Sequence, residues 1–340
     1  MPWATAFTKR LGVNFPIALA PMAGVAGGAL AAAVSEAGGF GIVAGGYAKQ
    51  EQFLPEIEKV KQGTGRPWGI GFLTWALERN PRALDAALEH APAAVFLSCG
   101  DPRPFAGIVH DAGARLICQV TSLPEAALAL EAGADVLVAQ GQEAGGHGDS
   151  RRGTFSLVPA VVDLARSVPV LAAGAVADGR GLVAALALGA AGVLVGTRFY
   201  AATEALGHPA AKARLVMASG EDTVRTRLFD IVRDTGWPER YPGRALRNRL
   251  YETWAGREEA LRAHLDEIRP AYQAAAAAGD FDTAVIWAGE GLDLVHDVQP
   301  AGEILRQMVS DAQACLARVN AIHRPPQKRQ RNTEEDDWAW

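Results

Sequence analysis

The chain has 340 residues, 49% of them hydrophobic, and its 33 Lys plus Arg against 38 Asp plus Glu leave a net charge of -5. That is apolar material for one large core with appended elements, and without a basic stripe to track a phosphate backbone it argues against nucleic-acid binding. The three cysteines, Cys99, Cys118 and Cys315, have no CxxC spacing and no His/Cys set suited to zinc, so no metal site is expected and a reducing compartment fits.

The N-terminal MPWATAFTKRLGV has no charged-then-apolar signal pattern, and Gly and polar residues break every apolar stretch short of a bilayer span. A soluble cytoplasmic protein is expected. From Ile17 to Val195 a four- or five-residue apolar run, a Gly-containing loop and an Ala-rich helical pattern then repeat. The runs are IALAP at Ile17, GIVAG at Gly41, WGIGF at Trp68, AVFLS at Ala94, RLICQ at Arg115, VLVAQ at Val136, VLAAG at Val170 and GVLVG at Gly192. Continuous apolarity marks strands buried on both faces, as in parallel sheets covered by helices.

Between the runs, GALAAAVSEAGG, PEAALALEAGA and GRGLVAALALGA read as helices, several closing on a C-cap glycine before the next strand. Eight such units predict a (β/α)8 TIM barrel over residues 1–208. A doubly wound open sheet would need fewer strands and a GxGxxG fingerprint, which APMAGVAGGA lacks. Beyond Tyr200 the strand rhythm stops, and residues 209–321 read as a helical addition packed on the barrel. The tail, 322–340, mixes prolines and charge runs and reads as disordered.

In such a barrel the reacting groups sit at the carboxyl ends of the strands, and loops after the seventh and eighth strands often bind phosphate. Here those loops are AAGAVADGRG and VGTRFYAATEA, where Gly174 and Gly196 permit close backbone approach and Thr197 adds a hydroxyl. Each glycine alone needs no more than loop geometry. Both together, in the expected pair of loops, predict a phosphate-bearing ligand. Arg198 is either a helper there or a structural ion-pair partner.

The sixth run leads into QGQEAGGHGDS, which sets His147 among glycines on the same face. Nothing in the loop looks built to bury it, so its imidazole would titrate near its ordinary value as a general base or donor, or else merely cap the loop. Glu143 is a second acid/base candidate or a cap. Cys99 is the one cysteine placed for nucleophilic work, against a plain buried role, and His208, before Pro209, stands at a helix start.

As a set, PIALAPMAGVAGGALAAAVSEAGGFGIVAGGY, QGQEAGGHGD, PVLAAGAVADGRGLVAALALGAAGVLVGTRF and the late WAGEGLDLVHDVQPAGEIL resemble the nitronate monooxygenase family, from about Phe7 to Asn320. The resemblance implies noncovalent FMN on the carboxyl face of the barrel. Pro21, Met22 and Ala23 would line the flavin ring, Gln119 would reach its polar edge and Gly145 would lie beside it. Ala173, Gly174, Ala175, Gly196 and Thr197 would hold the phosphate. His147 matches the catalytic histidine of a family that oxidises alkyl nitronates with dioxygen to a carbonyl compound and nitrite.

The chain departs from that pattern at GIGFLTW, where Gly71 stands in place of the asparagine many members carry. An amide contact is lost there or supplied by Thr74, and Phe72 and Trp75 either narrow the substrate end or pack the barrel. The substrate implied is a small nitronate or nitroalkane, with oligomeric state left open. An FMN-dependent NAD(P)H:quinone or enoyl reductase on the same scaffold, and a non-redox barrel binding a phosphorylated metabolite, are the competing readings.

Overall fold

The computed structural model describes residues 2–149 and 151–322, so the tail expected to be disordered lies, beyond Ile322, outside the described residues. Eight parallel strands form the barrel: β1 (Ile17–Leu19), β2 (Gly41–Gly46), β3 (Trp68–Leu73), β4 (Ala94–Ser98), β5 (Arg115–Val120), β6 (Val136–Gln140), β8 (Val170–Ala173) and β9 (Gly192–Val195). Between β6 and β8 the chain inserts β7 (Gly146–His147), which leaves the barrel for a second sheet. Consecutive barrel strands pair in parallel, β9 pairs with β1, and the Ala18–Phe40 bridge brings β1 to β2, closing the ring.

Continuous apolarity becomes two cores. Ala18, Ile42, Phe96, Ile117, Val138, Leu171 and Leu194 pack inside the ring, while their strand neighbours Leu19, Val43, Leu97, Cys118, Leu137 and Val195 pack outward under the helices. This is the alternation of side chains along a pleated strand, with both faces covered. The helix Ala6–Leu11, capped by Thr5, plugs the amino end with Phe7 and Leu11, Phe7 meeting Phe40 edge to face at 6.3 Å between centroids. At that end Arg10, His110 and Arg115 converge on the buried Asp135, which also accepts from the Leu116 N–H.

After β9 the barrel has only the short helix Thr197–Tyr200, and the place of a long eighth helix is taken by Ala301–Ile322, which packs between the helices Gly179–Ala187 and Gly28–Glu36. Its helical pattern runs through Ile322, one residue past the boundary expected from the sequence. The segment before it, expected to be helical, also contributes β10 (Thr223–Thr226) and β11 (Gly243–Leu246). These short strands carry too little alternation to register as such. They exist because β11 pairs antiparallel with β10 on one side and with β7 on the other, placing Gly243 opposite His147. No helix among the described residues is long and apolar enough to cross a membrane.

Candidate active site

A cavity of about 330 Å³ opens at the carboxyl ends of the strands, where a barrel places its chemistry. Of the residues singled out in the sequence, Pro21, Met22, Ala23, Phe72, Gln119, Gly145, His147, Ala173, Gly174, Ala175, Gly196 and Thr197 all border it. Thr74 and Trp75 do not. Thr74 is fully buried in a separate small recess with Gly100 and Cys118, and Trp75 stands behind the wall, edge-on to Tyr47 and Trp237. The cause is that β3 ends at Leu73 and Thr74 opens a helix, so the register turns away from the cavity.

Phe72 borders the cavity as a packed ring, 5.4 Å from Phe53 and edge-on to it. Gly71 is a steric necessity, since a Cβ there would lie 2.4 Å from Cβ of Pro21. Restoring a side chain at that position would displace the Pro21 turn.

On one side of the cavity the loops after β8 and β9 offer backbone donors. The N–H groups of Gly174, Ala175, Gly196 and Thr197 have no acceptor among the described residues. Gly174 and Ala175 both take positive φ, 115° and 54°, which for alanine is a strained conformation held by its surroundings. Successive amides in such a bend form an anion-binding concavity. A Cβ added at Gly196 would meet only ordinary contacts, Sδ of Met22 at 3.5 Å and Cβ of Ala20 at 3.6 Å, so a side chain there meets no clash. Thr197 Oγ1 accepts from the Gly289 N–H at 3.0 Å and keeps its own proton to donate.

The loop after β6, which also borders the cavity, holds His147 and is far from exposed. The imidazole side chain keeps 7% of its accessible surface, stacks on Trp237 at 3.6 Å between centroids with planes 4° apart, and meets Trp287 at 4.4 Å. Its Nε2 lies 2.9 Å from Oδ1 of Asp230, on the helix Leu228–Arg233. Burial pushes its pKa below the ordinary histidine value, opposed by Asp230 and reinforced by the Arg233 and Arg225 charges. The sequence reading of an unperturbed imidazole is thereby corrected: residues more than 80 positions downstream bury it.

Two arginines of the second sheet fix the loop. Arg225 Nη1 donates to the carbonyls of Gly148 and Pro242 at 3.1 and 2.8 Å, and its Nη2 to those of Gln142 and Ala144 at 2.9 and 3.3 Å. Arg244 adds Nε to Gln142 O at 3.1 Å and pairs with Glu290 at 2.8 Å. The late WAGEG motif has its reason here as well. A Cβ on Gly145 would fall 2.5 Å from the Ala288 carbonyl carbon and one on Gly289 would fall 2.7 Å from N of Gly145, so the two backbones touch because both residues are glycine.

Glu143 caps the helix Thr154–Ala165, accepting from the N–H and hydroxyl of Thr154 at 2.9 Å each. His208 caps the helix Pro209–Met217 through Nδ1, and Arg198 pairs with Asp297 at 2.6 Å, away from the cavity. Cys99 borders the cavity at φ 59°, but burial pushes its thiol up to about 12, so it is no thiolate at neutral pH. Gln119 donates to Gln140 at 2.9 Å. Asp230, Arg233, Tyr47, Trp237 and Trp287 were missed in the sequence. The signal available was the loop TGWPERYPG, which breaks an otherwise helical stretch with Gly, Pro and aromatics together.

A closed parallel barrel with an amide cradle and a buried histidine, paired with an aspartate behind it, bordering one cavity defines a barrel enzyme acting on a small molecule. The sequence model of the family named nitronate monooxygenase matches residues 4–95 and 80–311. A nitronate monooxygenase of Neurospora crassa is 35% identical, covering 91% of this chain and 92% of its own. Among solved structures, FabK from Thermotoga maritima superposes with a TM-score of 0.82 at 31% identity, over 94% of this chain and 99% of its own. A nitroalkane oxidase from Streptomyces ansochromogenes gives 0.79 at 28% identity, over 93% and 100%. The chain belongs to the nitronate monooxygenase family, and it is an oxidoreductase.

Proposed function

We propose that the protein oxidises alkyl nitronates with dioxygen to a carbonyl compound and nitrite, using FMN held in the cavity. The observation that carries this reading is a buried imidazole paired with a carboxylate, facing the same cavity as four unpaired backbone N–H groups. Those donors suit a phosphate dianion, and Gly196 puts no side chain in its way. Pro21, Met22, Ala23, Gln119 and Gly145 would border the ring system. FMN, when bound, supplies the redox chemistry by taking electrons from the electron-rich nitronate and yielding them to dioxygen.

The residues of the chain do the rest. Asp230, a carboxylate, accepts from Nε2–H of His147, which leaves Nδ1 as the basic nitrogen. Neutral because it is buried, that nitrogen takes the α-proton of a nitroalkane. A substrate that arrives as the nitronate has already lost this proton. Trp237 and Trp287 hold the ring plane and keep water from it.

The test is an anaerobic visible spectrum of the purified protein, before and after ethyl nitronate and, separately, NADH. Flavin bands that bleach with the nitronate alone are expected. Bleaching by NADH alone would transfer the protein to the nicotinamide-dependent reductases, and absence of flavin after reconstitution would leave a non-redox barrel.

A further inference from the structure

Among the described residues bordering the cavity, Arg233 is the one lysine or arginine. The neighbouring cations stand off the cavity: Arg225 gives both Nη groups to four carbonyls, with its Nε alone unpartnered, and Arg244 serves a carbonyl and Glu290. Arg233 is different. Its side chain is half-buried, and its Nη1 is closed off from solvent without a hydrogen-bond partner. Leaving a guanidinium donor buried and unmatched is costly, and an arriving acceptor removes that cost after a small rotation of the group.

The surroundings favour an anion as that acceptor. Asp230, three residues earlier on the same helix, commits Oδ1 to His147, and although its Oδ2 is buried without a partner and its charge acts on Arg233, the two make no ion pair within 4.0 Å, so the guanidinium is left to an outside acceptor. The Trp287 ring lies 5.8 Å from the guanidinium carbon, and Tyr47 stands beside it, its phenol oxygen accepting from Trp237 Nε1 at 3.1 Å. The Tyr47 proton has no acceptor among the described residues. A guanidinium fork and a phenolic O–H in an aromatic enclosure match two oxygens sharing one negative charge, as in a nitronate or a carboxylate. His147, held neutral by burial, brings no countercharge of its own.

We infer that Arg233 receives the negative charge of the substrate, so that the cavity selects small organic anions over their neutral analogues. The inference deepens the nitronate reading and rests on it for the identity of the anion. One helix then serves both needs of the site, positioning the base through Asp230 and binding the charge through Arg233.

The experiment compares the flavin-loaded wild type with Arg233→Met and Arg233→Lys, using ethyl nitronate against nitroethane in turnover. Calorimetric titration with redox-silent propionate and propionamide gives a second readout. Arg233→Met is expected to raise KM for ethyl nitronate about 10- to 100-fold, the scale of one lost charge-assisted contact, while KM for nitroethane changes less than about threefold. Arg233→Lys is expected to recover part of the loss, because an ammonium restores charge without the fork. In the wild type, propionate is expected to bind at least about tenfold more tightly than propionamide.

Equal binding of propionate and propionamide, or an unchanged nitronate KM in Arg233→Met, overturns the inference. If Arg233→Met does not fold, the wild-type ligand pair and Arg233→Lys decide. Should the wild type fail to oxidise ethyl nitronate yet bind propionate through Arg233, the anion site stands and the nitronate reading falls.

Discussion

Two residues that border the cavity, His147 and Gly196, carry the sharpest consequences. His147→Ala is expected to lower kcat/KM for neutral nitroalkanes by about 100- to 10,000-fold, the usual worth of a general base, and to slow preformed nitronates less than about tenfold. Equal losses on both would mean that the ring binds the anion and takes no proton. The pH profile follows from the direction of the shift. Because burial holds the imidazole below its ordinary value of 6.5, the neutral base persists below that pH, and the acid limb for nitroalkanes falls there, with none for nitronates. The same burial makes acid unfavourable for the fold: below about pH 6.5 the unfolded chain binds a proton at this position that the folded chain does not. In the loop after β9, Gly196→Asp puts a carboxylate beside the unpaired amides at a position where a Cβ meets only ordinary contacts. It should abolish flavin retention while leaving the melting temperature of the apoprotein nearly unchanged, and a yellow, stoichiometrically loaded variant would remove the phosphate from that position.

At the scale of elements, the site depends on a sheet of three short strands that ties the His147 loop to the chain beyond residue 220. Arg225 is its main tie, since one guanidinium serves three carbonyls of the His147 loop and that of Pro242 beside β11. Arg225→Met should cost about 2 to 4 kcal/mol in urea melts, because it strips buried acceptors of their donors. Amide exchange should quicken in residues 142–148 before any other barrel loop; exchange that rises evenly around the barrel would deny the loop its special dependence. This sheet also marks where the sequence stops being informative. TVRT and GRAL are four residues each, and nothing local makes them strands; TVRT pairs only with GRAL, and the other partner of GRAL is the two-residue strand Gly146–His147, remote in the chain. The barrel strands were legible for the opposite reason: VLVAQ or GVLVG is buried on both faces, so composition alone records the environment. The glycine loops of the cradle were legible too, because backbone approach leaves its mark at fixed points of the repeat. Asp230, Arg233 and Trp237 left no such mark, and the GGHG loop looked solvated because what buries it is remote in the chain.

At the scale of the whole fold, β9 on β1 closes the strand ring, and the helix Ala301–Ile322 completes the layer of helices around it. The long helix Ala301–Ile322 occupies the position a barrel would give to the helix after its eighth strand, and between them the chain spends about a hundred residues building the wall that carries Asp230, Arg233, Trp237 and Trp287. Closure and site construction are therefore linked: the segment can leave the barrel, form the outer wall and return only if its last helix seats tightly. Gly179 sets that seat. A Cβ there would fall 2.1 Å from the Ala312 nitrogen, with the Asp311 carbonyl carbon at 2.5 Å, so both obstacles are backbone and cannot swing aside. Gly179→Ala should push the last helix off the barrel and destabilise the protein by about 1 to 3 kcal/mol, the ordinary cost of overpacking, although alanine is the better helix former. Because the helix also holds the returning strap in place, flavin affinity should fall with stability in this variant, far from the cavity as it is. A melting temperature unchanged or raised would mean that propensity outweighs contact at position 179, and that the helix is free to shift without disturbing the layer it completes.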